Sequence, residues 1–95
     1  MGRIKISPDQ VRNVASQFRN KSGESGTMAQ QLSSAVDGMQ AEWEGMAAQR
    51  FYGDFTQWKQ QMQKYVELLN GIATELDRIA NTIEQTDQQL AQGGR

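Results

Sequence analysis

The sequence predicts an all-α protein: an antiparallel two-helix hairpin that dimerises into a four-helix bundle. Three observations lead there. The 95 residues contain a single proline, Pro8, so little interrupts a helix beyond that point. Apolar residues recur by threes and fours through two long segments, which is the spacing of one helix face. Between the segments stands Glu42-Trp43-Glu44-Gly45-Met46, a short stretch with a glycine where the chain must reverse.

A chain of this length forms one domain. Its composition excludes several functions. No cysteine is present, which removes disulfides, zinc–thiolate sites and thiol chemistry. No histidine is present either, which removes the commonest general base and metal ligand. The sequence therefore predicts no catalytic residues, no metal site and no cofactor. The net charge is −1 and the basic residues are dispersed, so no nucleic-acid partner is expected. No run approaches the roughly 18 apolar residues of a membrane span, so no stable membrane insertion is expected. The opening MGRIKIS lacks the apolar stretch of an ordinary signal peptide. It also has Ile6 where myristoylation wants Ser or Thr.

The first helix is expected over about residues 8–41. Ser7 suits the N-cap, Pro8 the first helical position, and Gln10 completes a Ser-x-x-Gln capping box. Asp9 puts negative charge in the first turn, where the helix dipole favours it. Val11, Val14, Phe18, Met28, Leu32, Val36 and Met39 then form an apolar stripe that ends at Trp43. Gly23 and Gly26 interrupt it, each costing up to ~1 kcal/mol relative to alanine. A continuous, locally weak helix is expected there, since a loop would carry Pro, Asn or Asp.

The turn is expected at about 42–46, the second helix at about 47–90 and a flexible tail at 91–95. The second stripe is the strongest pattern in the chain: Phe51, Phe55, Trp58, Met62, Tyr65, Leu69, Ile72, Leu76, Ile79, Ile83, Thr86 and Leu90. It steps by four and three in turn, as a heptad does. A helix of that length spans roughly 60 Å. Phe18, Leu32 and Met39, with Phe51 through Ile79 of this stripe, are the expected seam of the hairpin and of a dimer. Tyr52, Val66, Leu68 and Val36 lie beside the stripe and are expected as exposed apolar flanks. Covering them in a four-helix bundle makes the dimer obligate or nearly so.

At the turn, Met39-x-x-x-Trp43-x-Gly45-x-Ala47-x-x-x-Phe51 resembles the central motif of the Trp-X-Gly (WXG) family. These are small bacterial proteins exported by type VII (ESX-like) secretion systems. The resemblance covers the whole chain, from the capped first helix to the second stripe. The family's tail motif is matched at Ile83-x-x-x-Asp87-x-x-Leu90, but its fourth position falls on Gly94 in place of an apolar residue. The related Tyr-x-x-x-Asp/Glu form is absent, since Leu69 follows Tyr65 by four and Thr56 follows Tyr52.

The resemblance implies a secreted, non-enzymatic interaction protein. It implies export as a folded homodimer, or a heterodimer with a paralogous WXG protein, without a cleaved signal peptide after synthesis in the cytoplasm. It further implies a composite signal in which Trp43 and Gly45 of one chain lie near Ile83, Asp87 and Leu90 of the other. The implied reader is a membrane-embedded secretion ATPase of the FtsK/SpoIIIE type.

Each of these residues also has a plainer reading. Trp43 serves as an aromatic anchor at a bundle end, and Gly45 supplies turn freedom. Asp87 is then a solvated acid on an amphipathic helix. Glu42 and Glu44 have no nucleophile, base or metal cluster beside them, so paired-carboxylate catalysis is not expected. Two further functions fit a helical hairpin: a structural subunit of a larger assembly, and a membrane-perturbing effector. A polar face rich in Gln and poor in Lys argues against the second.

Overall fold

A computed structural model describes residues 6–93, with side chains described over 6–90. It contains two helices, α1 over Pro8–Gln40 and α2 over Met46–Gly93. Met1-Gly2, most of the opening MGRIKIS, and Gly94 of the tail pattern lie outside the described residues. Of the tail expected at 91–95, the backbone to Gly93 continues α2.

Ser7 begins α1 as its chemistry requires. Its backbone is extended at φ −84° and ψ 154°. Its hydroxyl accepts from the Gln10 amide at 3.1 Å, and the Gln10 side chain accepts from the Ser7 amide at 2.8 Å. Two of the free amides of the first turn are thereby satisfied. Gly23 and Gly26 do not break the helix, which runs unbroken to Gln40. Packing along α2 outweighs a propensity cost of about 1 kcal/mol at each.

The chain reverses over residues 41–45. The Glu42 and Trp43 amides both donate to the Met39 carbonyl, at 3.0 and 2.9 Å, closing the open end of α1. Gly45 has φ +111°, a conformation a β-carbon disfavours and glycine adopts freely. Its carbonyl accepts from Gln49 at 3.0 Å, which starts α2. The product is a rod of 76 × 20 × 15 Å.

The most deeply buried residues of the seam between the helices are small. Ala15 and Ser22 of α1 and Ala48, Ala73 and Ala80 of α2 are at most 2 % exposed. Small side chains let two helix axes approach closely. Near the middle of α1 the Ser22 hydroxyl donates to the Val66 carbonyl of α2 at 3.0 Å. At the end remote from the turn, Val11, Ala80 and Ile83 form a buried cluster with Leu76 against it.

This arrangement corrects the expected flanks. Val36, Tyr52 and Val66 are half-buried inside the hairpin, and only Leu68 of the four is exposed. The α2 side of the seam runs through Ala48, Tyr52, Phe55, Lys59, Met62, Val66, Leu69, Ala73, Leu76, Ala80 and Ile83. That too is a four–three repeat. It shares Phe55, Met62, Leu69, Leu76 and Ile83 with the stripe of large residues and takes different residues in between. Ala73 and Ala80 are completely buried opposite α1, whereas Trp58 and Tyr65 of the other repeat are left exposed.

Candidate functional site

Three surfaces carry the residues singled out from the sequence. The first is the tip. Trp43 packs its ring against Phe51 and Tyr52, both at 5.7 Å between centroids, and keeps 36 % of its surface exposed. Phe51 continues the cluster to Phe55 at 6.0 Å and Trp58 at 6.1 Å. Contacts of this kind contribute about 0.5–1.5 kcal/mol each beyond their buried area. Trp43 is thus both anchor and accessible surface. The Tyr52 hydroxyl in this cluster is buried and has no hydrogen-bond partner among the described residues.

The second surface is the far end of α2. Ile83 is buried in the cluster with Val11 and Ala80, so its side chain anchors this end and is not displayed. Asp87 and Leu90 are exposed. They lie beyond Ile83 on the last stretch of α2, which runs on to Gly93. Tip and tail of one chain are separated by most of the 76 Å rod, so within a single chain they never meet.

The third surface is one broad face of the hairpin. Val14, Met28, Leu32 and Met39 of α1 are exposed, as are Trp58, Tyr65, Leu68 and Ile79 of α2. At ~100° per residue these positions project from the same side of the two antiparallel helices. Phe18, Phe51, Phe55, Met62, Ile72 and Leu76 are half-buried between this face and the seam, and Leu69 is buried. The expected seam residues therefore divide. Leu32, Met39, Trp58, Tyr65 and Ile79 are left uncovered by their own chain, and the rest contribute to the hairpin.

The opposite broad face is polar. Arg12 forks onto Glu84 at 2.8 and 3.4 Å and reaches Asn81 at 2.8 Å. Arg19 meets Asp77 at 2.6 Å. The hydrogen bond from Arg12, followed by its charge, holds the Glu84 carboxyl below its ordinary pKa. The same bond holds the Arg12 guanidinium above its own. Sequence reasoning missed these pairs and the alanine seam. The second four–three repeat through Ala48, Tyr52 and Lys59 carried the signal for the seam. The ion pairs, 58 and 72 residues apart, needed the helix register to be known first.

Among the described residues, no cluster of acidic side chains is placed to hold a metal ion, and no helix is long and apolar enough to cross a membrane.

Comparison with known proteins agrees with this geometry. Protein YukE of Bacillus subtilis (strain 168) is 31 % identical over 90 residues, covering 95 % of this chain and 93 % of YukE. Type VII secretion system extracellular protein A of Staphylococcus aureus (strain USA300) is 31 % identical over 91 residues, 96 % of this chain and 94 % of that protein. The crystal structure of the secreted protein ESXB of Bacillus anthracis str. Sterne superimposes with a TM-score of 0.79 at 37 % identity, over 92 % of this chain and 99 % of that one. The model of the family described as proteins of 100 residues with WXG matches residues 3–88. The chain belongs to the WXG100 family.

Proposed function

We propose that this protein is a secreted, non-enzymatic interaction protein exported by a type VII (ESX-like) secretion system as a folded dimer. The observation that carries the reading is the exposed Trp43-x-Gly45 tip on a hairpin that is alike, over 96 % of its length, to an extracellular protein of such a system. The dimer is a homodimer formed through the face bearing Leu32, Met39, Trp58, Tyr65 and Ile79. Exposed contiguous apolar surface of this kind marks an interface.

The export signal is composite. Tip and tail stand at opposite ends of one rod, so an antiparallel partner is the simplest way to bring Trp43 and Gly45 beside Asp87 and Leu90. Ile83 contributes by anchoring the tail from beneath. The reader is a membrane-embedded ATPase of the FtsK/SpoIIIE type.

A cross-link tests the geometry. The chain has no cysteine, so Glu44→Cys with Gln88→Cys introduces the only thiols. A disulfide between them should link two chains, because α2 holds them about 65 Å apart within one. Export is tested with Trp43→Ala and with truncation before Ile83, in a host with a working secretion system. Both should stay inside the cell, and Trp43→Ala should remain a helical dimer. Normal secretion of the truncate, or a chain that remains monomeric at micromolar concentration, overturns the reading.

A further inference from the structure

Recognition of the tail, as proposed above, depends on where the end of α2 points, and the geometry supplies a residue for that task. We propose that Arg12 is a positioning residue for export: its guanidinium, forked onto Glu84 and Asn81, sets the direction in which Asp87 and Leu90 are presented.

Past Ile83, α2 continues through residues 84–93, about 15 Å of helix. α1 begins at Pro8, so its first turns give α2 its last supports before this extension. Two supports act there. The cluster of Val11, Ala80 and Ile83 holds α2 close, but apolar contact is non-directional and resists rolling of a helix poorly. Arg12 adds direction. Two guanidinium nitrogens meet both oxygens of Glu84, at 3.4 and 2.8 Å, and one of them also meets Asn81 at 2.8 Å. A planar fork of that kind fixes orientation as well as distance.

Because a helix is rigid over ten residues, a fixed Glu84 fixes the bearing of Asp87 and Leu90. They stand roughly 60° and 120° around the axis from it. Arg12 and Glu84 are both accessible, with side chains 34 % and 49 % exposed. Accessible ion pairs contribute modestly to folding. Removing this one therefore separates aim from stability.

The test compares Arg12→Gln, Arg12→Lys and the reversed pair Arg12→Glu with Glu84→Arg. Export, dimerisation and amide hydrogen exchange are followed, with Asp87→Lys in parallel. Arg12→Gln should keep the helical dimer and lower export roughly twofold to fivefold, the shift a surface ion pair can impose on a local equilibrium. Faster exchange should be confined to residues after Asn81. Lysine should restore part of the export, and the reversed pair most of it. Full export by Arg12→Gln overturns the assignment, as does exchange that rises along the whole hairpin. If Asp87→Lys blocks export and Arg12→Gln does not, Arg12 loses its role and the tail signal stands. If neither blocks it, the tail signal itself falls.

Discussion

Ser22 and Val66 are joined across the hairpin: the Ser22 hydroxyl donates to the Val66 carbonyl at 3.0 Å, and Ser22 is only 2 % exposed. A buried hydroxyl bonded to a helix carbonyl is a direct contact between α1 and α2. Ser22→Ala should cost about 1 kcal/mol, the worth of one such bond, since the carbonyl keeps its own helical partner. Ser22→Leu should cost more, on the order of 1–3 kcal/mol, because Ser22 is already almost fully buried and a larger side chain must displace its neighbours. Urea unfolding at a fixed protein concentration measures both. Equal losses would show the helices to be farther apart than described.

The apolar face gives a prediction about association. Trp58→Lys and Ile79→Asp leave the alanine seam untouched but place charge where the second copy is proposed to sit. Losing a large apolar contact of about 1.5–3 kcal/mol should weaken the dimer by one to two orders of magnitude. Sedimentation equilibrium should show monomer growing at the expense of dimer. Unchanged dissociation constants would move the interface elsewhere.

Two glycines should respond with opposite signs. Gly45 has φ +111°, so Gly45→Ala should destabilise by about 1–3 kcal/mol despite open space around a new β-carbon. Gly53 is helical and also has nothing within 4 Å of a β-carbon. Gly53→Ala should therefore stabilise by about 0.5–1 kcal/mol. Thermal melts of the two variants at matched concentration decide it.

Tyr52 offers a substitution that removes polarity without loss. Its hydroxyl is buried and unpartnered, and an unmade hydrogen bond of this kind costs about 1–3 kcal/mol. Tyr52→Phe keeps the ring against Trp43 and Phe51, so it should be neutral or stabilising in chemical denaturation. A clear loss of stability would mean the hydroxyl has an acceptor in the dimer.

Acid should loosen the far end of the rod before the tip. Glu84 has a lowered pKa because it accepts from Arg12. Its contribution is present above the ordinary glutamate value and is lost as pH falls through the lower folded value. Arg12 stays charged throughout this range. The other charged groups near Arg12 are Asp9 and Asp77. A carboxyl titration followed by NMR should find Glu84 below its unfolded value in the wild type, and restored towards it in Arg12→Gln. An unshifted Glu84 in the wild type would remove the ion pair from solution.

Much of this fold is legible in the sequence. Ser7, Pro8 and Gln10 announce the start of α1 because capping is local chemistry, and Gly45 announces the turn for the same reason. What could not be read was which face of α2 meets α1. Two four–three repeats share Phe55, Met62, Leu69, Leu76 and Ile83, and hydrophobic weight favours the one with Trp58 and Tyr65. Close packing favours the other, with Ala73 and Ala80, and periodicity does not register that steric preference. At the site, Trp43 and Gly45 were visible as a motif. Ile83 and Leu90 looked alike in sequence, yet one is buried and the other exposed, because Ile83 packs on Val11 in the first turn of α1 and Leu90 stands two turns further along α2.

The shared rungs of those two repeats have a consequence for how the molecule tolerates change. Each of Phe55, Met62, Leu69, Leu76 and Ile83 belongs both to the seam and to the stripe beside the face proposed for a second copy, so altering one should disturb folding and the proposed pairing in a single stroke. The residues between them divide, with Lys59, Val66, Ala73 and Ala80 facing α1 and Trp58, Tyr65 and Ile79 on the exposed face. Variation at Trp58, Tyr65 or Ile79 can therefore reshape the exposed face while the hairpin beneath stays intact.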